Sequence, residues 1–207
     1  MAVLATDNFN RANSADLGTS WDVMTAETAF NISANAAVPS NPASDASESY
    51  NAVAWPNDQY SQALIPVVGT GGQTTGTGVA LRMSTTARTY YRIVVASSGT
   101  EIAKFVAGVY TSLATDATVW ANGDTAYASA VGTTLQVRRN GINLLSTTDS
   151  AIASGRAGIT HSSASQAGVN LDNWEGGDFV AAATNPALLH YNLSNQFGQR
   201  QVVPVPM

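Results

Sequence analysis

The chain has 207 residues, of which 44% are hydrophobic, enough to fill the core of one large domain and too many for wholesale disorder. Only 11% are charged, the net charge is −5, and Lys104 is the single lysine, so the clustered basic face that nucleic acid requires is missing. The chain has no cysteine, which removes disulfide scaffolds, thiolate metal sites and cysteine nucleophiles together.

The N-terminal stretch MAVLATDNFN shows neither a basic region nor a long apolar run, and no segment approaches the ~20 apolar residues of a membrane span. The expectation is a protein made in a cytoplasm with no membrane partner. Strand patterns then dominate. SWDVM and AFNIS come first, followed by SANAAVPSNPASDASES, which is small and polar with two prolines and reads as a loop or an edge. SYNAVAW and QYSQALIPV lead into the glycine-rich GTGGQTTGTG (69–78), a connection without the Lys-Ser/Thr ending of a phosphate loop. After TGVALRM, TYYRIVVA (89–96) alternates: Tyr91, Ile93 and Val95 take one face, Tyr90, Arg92 and Val94 the other. SSGTEIAKFVAG is a turn and a strand, and NGDTAYASAVGTTL a strand between two turns. TLQVRRNGINLLS (134–146) is the clearest hairpin, with Asn140-Gly141 as the type I′ pair. Arg138 and Arg139 fall on opposite faces of its first strand. GRAGITH and GVNLDNWEG close the series. The spacing of the turns predicts an all-β sandwich over 1–180.

The opening DNFNRANSADLGTSWDV and the closing GRAGI…VNLDNWEGGD together resemble the two ends of concanavalin A-like (laminin-G-like) β-sandwich domains of phage and bacterial proteins. The resemblance implies an antiparallel jelly roll of two sheets with neighbouring ends, and Trp21 and Trp174 as framework residues of the core. It also implies that Asp7 approaches Asp172, which in parts of this family contribute to a structural calcium site; the alternative is that both acids cap turns. The fold hosts many activities, so it carries no function by itself.

Catalytic chemistry finds little support. The glucanase branch of the fold needs a Glu-x-Asp-x-x-Glu strand, and none of the four glutamates, Glu27, Glu48, Glu101 and Glu175, lies in one. In DNWEGGD, strict alternation puts Asp172 and Asp178 on one face and Glu175 on the other, which gives no working pair. His161 and His190 cannot supply a zinc site. The expectation is a protein that is not an enzyme. Trp55 and Trp120, beside turns, with Tyr60 and Tyr127, are candidate sugar-stacking residues; the alternative is that they pack in the sheets.

Beyond Phe179 the strand-turn rhythm stops. The segment 181–207 carries Leu188, Leu189, Tyr191, Leu193, Phe197, Val202, Val203 and Val205, an apolar strip that needs cover. It is expected to be an extended arm that docks on a neighbouring chain, with wrapping around its own sandwich as the alternative. Together with the phage resemblance, these features lead to the expectation of a virion structural protein: a homo-oligomeric capsid decoration (cement) protein that binds the major capsid protein. A carbohydrate-binding module for host-surface glycans, or a tail or fibre-base component, is the alternative.

Overall fold

In the computed structural model, which describes residues 1–162 and 169–179, strands follow one another through tight turns and no helix occurs among the described residues. The strands are β1 (Ala2–Asp7), β2 (Trp21–Val23), β3 (Phe30–Ser33), β4 (Ala36–Pro39), β5 (Ala46–Tyr50), β6 (Gln59–Val67), β7 (Gly76–Met83), β8 (Tyr90–Ala96), β9 (Gly99–Val106), β10 (Val109–Asp116), β11 (Asp124–Val131), β12 (Thr134–Arg139), β13 (Ile142–Thr148), β14 (Arg156–Ser162) and β15 (Asn170–Asp178). One sheet runs β13-β12-β11-β6-β15-β4-β3, with β1 also paired to β15; the other runs β10-β9-β8-β7-β14-β5-β2. The pairings between strands are antiparallel. The chain is a concanavalin A-like antiparallel jelly roll. The expected arm and its apolar residues, with His190, lie outside the described residues.

Alternation builds the core. From β8 the buried Tyr91, Ile93 and Val95 face inward, matched by Val79 and Leu81 of β7 and by Ile159 of β14. From the facing sheet come Ile65 of β6, Leu135 and Val137 of β12, and three alanines of β11, Ala126, Ala128 and Ala130. Where β11 lies across from β7, those short side chains make room for the bulkier ones opposite. At one end Trp21 and Trp174 meet edge to face, ring centroids 4.8 Å apart, as expected for framework residues.

Several elements differ from the sequence expectation. The expected loop or edge 33–49 holds β4 and most of β5. β4 forms because Ala34 and Asn35, both with positive φ (50° and 61°), turn the chain back onto β3. β5 buries Ser47 and Glu48 through side-chain hydrogen bonds, with Ser49 buried beside them, so it shows no apolar signal. β10 was not expected either; as the outermost strand of its sheet it is mostly exposed, and the Ala107-Gly108 turn (φ 48° and 84°) creates it. The reading of DNWEGGD also needs correction. Asn173 sits at φ 48° and the register with β6 shifts between Asp172 and Glu175, so these two share the outer face and Asp178 falls on the other.

Candidate functional site

The seven-stranded sheet has an outer face that is largely covered. Its cross-strand ladder places Tyr90 beside Phe105, and Phe105 beside Tyr110. With Met24, Ala80 and Met83, Tyr90 and Phe105 form a second, small apolar cluster outside the main core. Met83 joins it because Arg82, at φ 50°, interrupts the alternation of β7. Arg92 projects from the same face, and its cross-strand neighbours are Ala80 and Ala103, whose methyl groups leave room for a guanidinium.

Around these rings lies a charged network. Arg92 donates to Glu101 at 3.3 Å and pairs with Asp45 at 3.7 Å. Arg88 donates through Nε to Glu27 at 2.6 Å and through NH2 to Asp45. The guanidinium of Arg88 stands 3.9 Å above the Phe105 ring, and that of Arg92 is 5.2 Å from the Phe105 and Tyr110 centroids. The phenols complete it: Tyr90 donates to Glu27 Oε1 at 2.6 Å, and Tyr110 donates to Glu101 Oε1 at 2.5 Å. Burial, then the carboxylate each one faces, pushes both hydroxyls above the usual phenol range. Burial works against the charge of Arg88, yet Glu27, Tyr90 and Asp45 together outweigh it and the guanidinium is held more firmly protonated. Two polar atoms stay unmatched: Arg92 Nε and Glu27 Oε2 have no hydrogen-bond partner among the described residues, although the Arg92 side chain is only 5% exposed.

Beside this network opens a groove of about 340 Å³ lined by Asp45, Thr74, Thr75, Arg92, Phe105, Tyr110 and Ser162. The glycine-rich connection before β7 forms one wall, fixed where Ser162 Oγ donates to the Thr74 carbonyl at 3.0 Å. Tyr110, 42% exposed, gives the groove an aromatic edge in water. The arrangement offers charged donors and acceptors within a few ångströms of an aromatic surface. It can recognise a small polyhydroxylated or zwitterionic molecule.

The residues expected to bind sugar do not come together. Trp120 is buried in the core, 1% exposed, and offers no stacking face, so its expected exposure at a turn is corrected. Trp55 is half-buried; it donates to the Tyr50 carbonyl at 2.8 Å and packs edge-on against Trp174. Tyr60 and Tyr127 do meet, on the outer face of the other sheet, with centroids 5.6 Å apart and planes 19° from parallel. They stack on each other, and both are nearly covered: Tyr60 donates to Glu175 at 2.6 Å, while Arg138 and the Met1 sulfur lie against Tyr127.

At Asp7 and Asp172 the structure shows the turn-capping alternative, with the Phe9 amide donating to Asp7 and the Asn173 amide to Asp172. β1 and β15 do pair, Asp7 opposite Trp174, and a second hollow of about 420 Å³ opens beside them. Yet Arg11 forks onto both Asp7 oxygens at 2.6 and 3.1 Å, and Trp21 Nε1 and the Phe9 amide donate to the same carboxylate. A guanidinium already occupies the place of a cation. Asp172 accepts from its neighbour Asn173, and no group of three metal-binding side chains exists among the described residues. His161 is buried and its Nε2 lies 3.2 Å from the Pro42 carbonyl; burial, only partly offset by that oxygen, lowers its pKa.

No protein-family model and no curated protein matches the sequence. Among solved structures, the chain is similar to the carbohydrate-binding module CBM66 from Bacillus subtilis, with TM-score 0.58 and 14% identity over 79% of this chain and 95% of that one. A Bacillus subtilis protein of unknown function with a galectin-like fold gives TM-score 0.57 at 9% identity, covering 86% and 96% of the two chains. The exoplasmic/lumenal domain of VIP36, in its Ca2+/Man-bound form, gives 0.54 at 12% identity, covering 80% and 85%. At such identities the likeness is one of fold: these three structures share the sandwich of the present chain.

Proposed function

We propose that the protein is a carbohydrate-binding module and that its glycan site is the groove on the outer face of the seven-stranded sheet. The observation that carries the proposal is Arg92. Its side chain is buried, lines the groove, and keeps one N–H without an acceptor among the described residues. A buried unmet donor costs about 1–3 kcal/mol, so a fold retains one where something else supplies the acceptor. Sugar hydroxyls do so, and they donate in return to carboxylates such as Asp45. Tyr110 supplies the apolar edge that a pyranose ring prefers. That a carbohydrate-binding module and a Man-bound domain share the fold supports the same reading. Asp45 in the groove and Glu101 in the network beside it are engaged by guanidiniums or a phenol, which favours binding without turnover.

The test is a glycan array probed with the full chain and with Tyr110→Ala, a change at an exposed edge strand. Binding by the full chain that Tyr110→Ala weakens supports the proposal. Binding that survives Tyr110→Ala, but is lost in Tyr60→Ala or Trp55→Ala, moves the site elsewhere.

A virion role, as a capsid decoration protein or a tail component, is the second reading. It is favoured by the apolar residues of 181–207 and by the resemblance of the sequence's two ends to domains of phage proteins. Deleting 181–207 and measuring oligomeric state and attachment to capsids tests it; unchanged assembly and attachment would rule out docking by the arm.

A further inference from the structure

Resting on the glycan reading of this groove, we infer that the ligand is a neutral sugar, read through a pair of adjacent hydroxyls, and that acidic sugars are rejected. The charge balance supports this. Three carboxylates (Glu27, Asp45 and Glu101) face two guanidiniums (Arg88 and Arg92), one negative charge in excess. His161, which lies near enough to sense both Asp45 and Arg92, is buried and disfavours a compensating positive charge. Each guanidinium already carries carboxylate partners. A uronate or sialate carboxylate entering the groove would meet no unspent positive charge and would sit against the surplus negative one.

A diol fits where an anion does not. Arg92 and Asp45 line the groove together, 3.7 Å apart; a guanidinium can only donate and an ionised carboxylate can only accept. Two neighbouring hydroxyls on a pyranose can accept from the first and donate to the second, a complementary pair that a lone hydroxyl cannot complete. The hydroxyl of Ser162, which lines the same groove, can serve a third oxygen. The volume, about 340 Å³, suits one or two sugar rings.

Calorimetric titration of the full chain with matched pairs tests the inference: glucosyl against glucuronyl, galactosyl against galacturonyl and mannosyl against mannuronyl disaccharides of the same linkage. At low salt the better neutral members should bind, with their acidic partners weaker by about tenfold or more, and the gap should narrow in 0.5 M NaCl. Deoxygenating one hydroxyl of the recognised pair should abolish measurable binding. Acidic partners binding as tightly as the neutral ones, or more tightly, would overturn the selectivity and leave the glycan site standing. No binding by any neutral or acidic member, or by any array glycan, would overturn both.

Discussion

Glu48 Oε1 accepts the Phe30 amide at 2.6 Å, a bond made inside the sandwich that ties the edge strand β3 of one sheet to β5 of the other. Glu48 is 2% exposed. Burial pushes its carboxyl up to about 7, partly opposed by the Phe30 amide and reinforced by the charges of Asp16 and Asp22. The native state therefore holds this proton over a range where the unfolded chain, with an ordinary carboxyl near 4.5, has released it. Stability from this group is fully present below pH 4.5 and is lost as pH rises through 7. The loss is on the order of 3 kcal/mol. Urea midpoints of the wild type and Glu48→Gln at pH 5 and pH 8 check this. The variant should gain on the wild type at pH 8 and differ little at pH 5; a variant less stable at both would contradict it.

Arg82 is a second buried fastener. It donates to the carbonyls of Asn57, Ile152 and Gly132 at 2.8–2.9 Å, while its amide donates to Gln59. Three loops at one end of the sandwich thus close on one guanidinium. Arg82→Met leaves those carbonyls unmatched, and we expect a loss of about 3–5 kcal/mol, a fall in melting temperature of about 10 °C or more. A fall under 2 °C would show that water replaces the guanidinium at little cost.

Gly141 offers a cleaner backbone test. It lies at φ 81° in the β12-β13 turn, and an added Cβ would meet nothing within 4 Å. Gly141→Ala should therefore cost about 1–2 kcal/mol through backbone conformation alone, read as a lower urea midpoint with unchanged slope. A neutral outcome would mean that the turn relaxes to another type.

The Asp7-Arg11 fork makes a prediction about metals. Calcium should not raise the melting temperature through this site, and Asp7→Asn should lower stability equally with calcium or with a chelator present. A calcium-dependent rise that Asp7→Asn abolishes would contradict the arrangement.

The sandwich was legible because alternation and turn residues report directly on strands: Tyr91, Ile93 and Val95 face inward as read, and Asn140-Gly141 turns the chain as read. The groove was not. Its half of the same strand, Tyr90, Arg92 and Val94, looks like a wet face with an arginine on it. Only the sheet register shows that Phe105 and Glu101, a strand away, cover it. Glu27, Asp45 and Arg88 reach the network from loops, at sequence separations that no local pattern encodes. Trp120 misled for the reverse reason: the turn beside it is at the surface, while its own indole points into the core.

Backbone amide shifts of the isotopically labelled full chain, followed while titrating the strongest neutral glycan from the array, test the central claim most directly. The account predicts shifts concentrated at Asp45, Thr74, Thr75, Tyr110 and Ser162, with Arg92 Nε–H moving alongside them. Shifts centred instead on the Tyr60-Tyr127 face or on the hollow beside Asp7, with the groove silent, would contradict it.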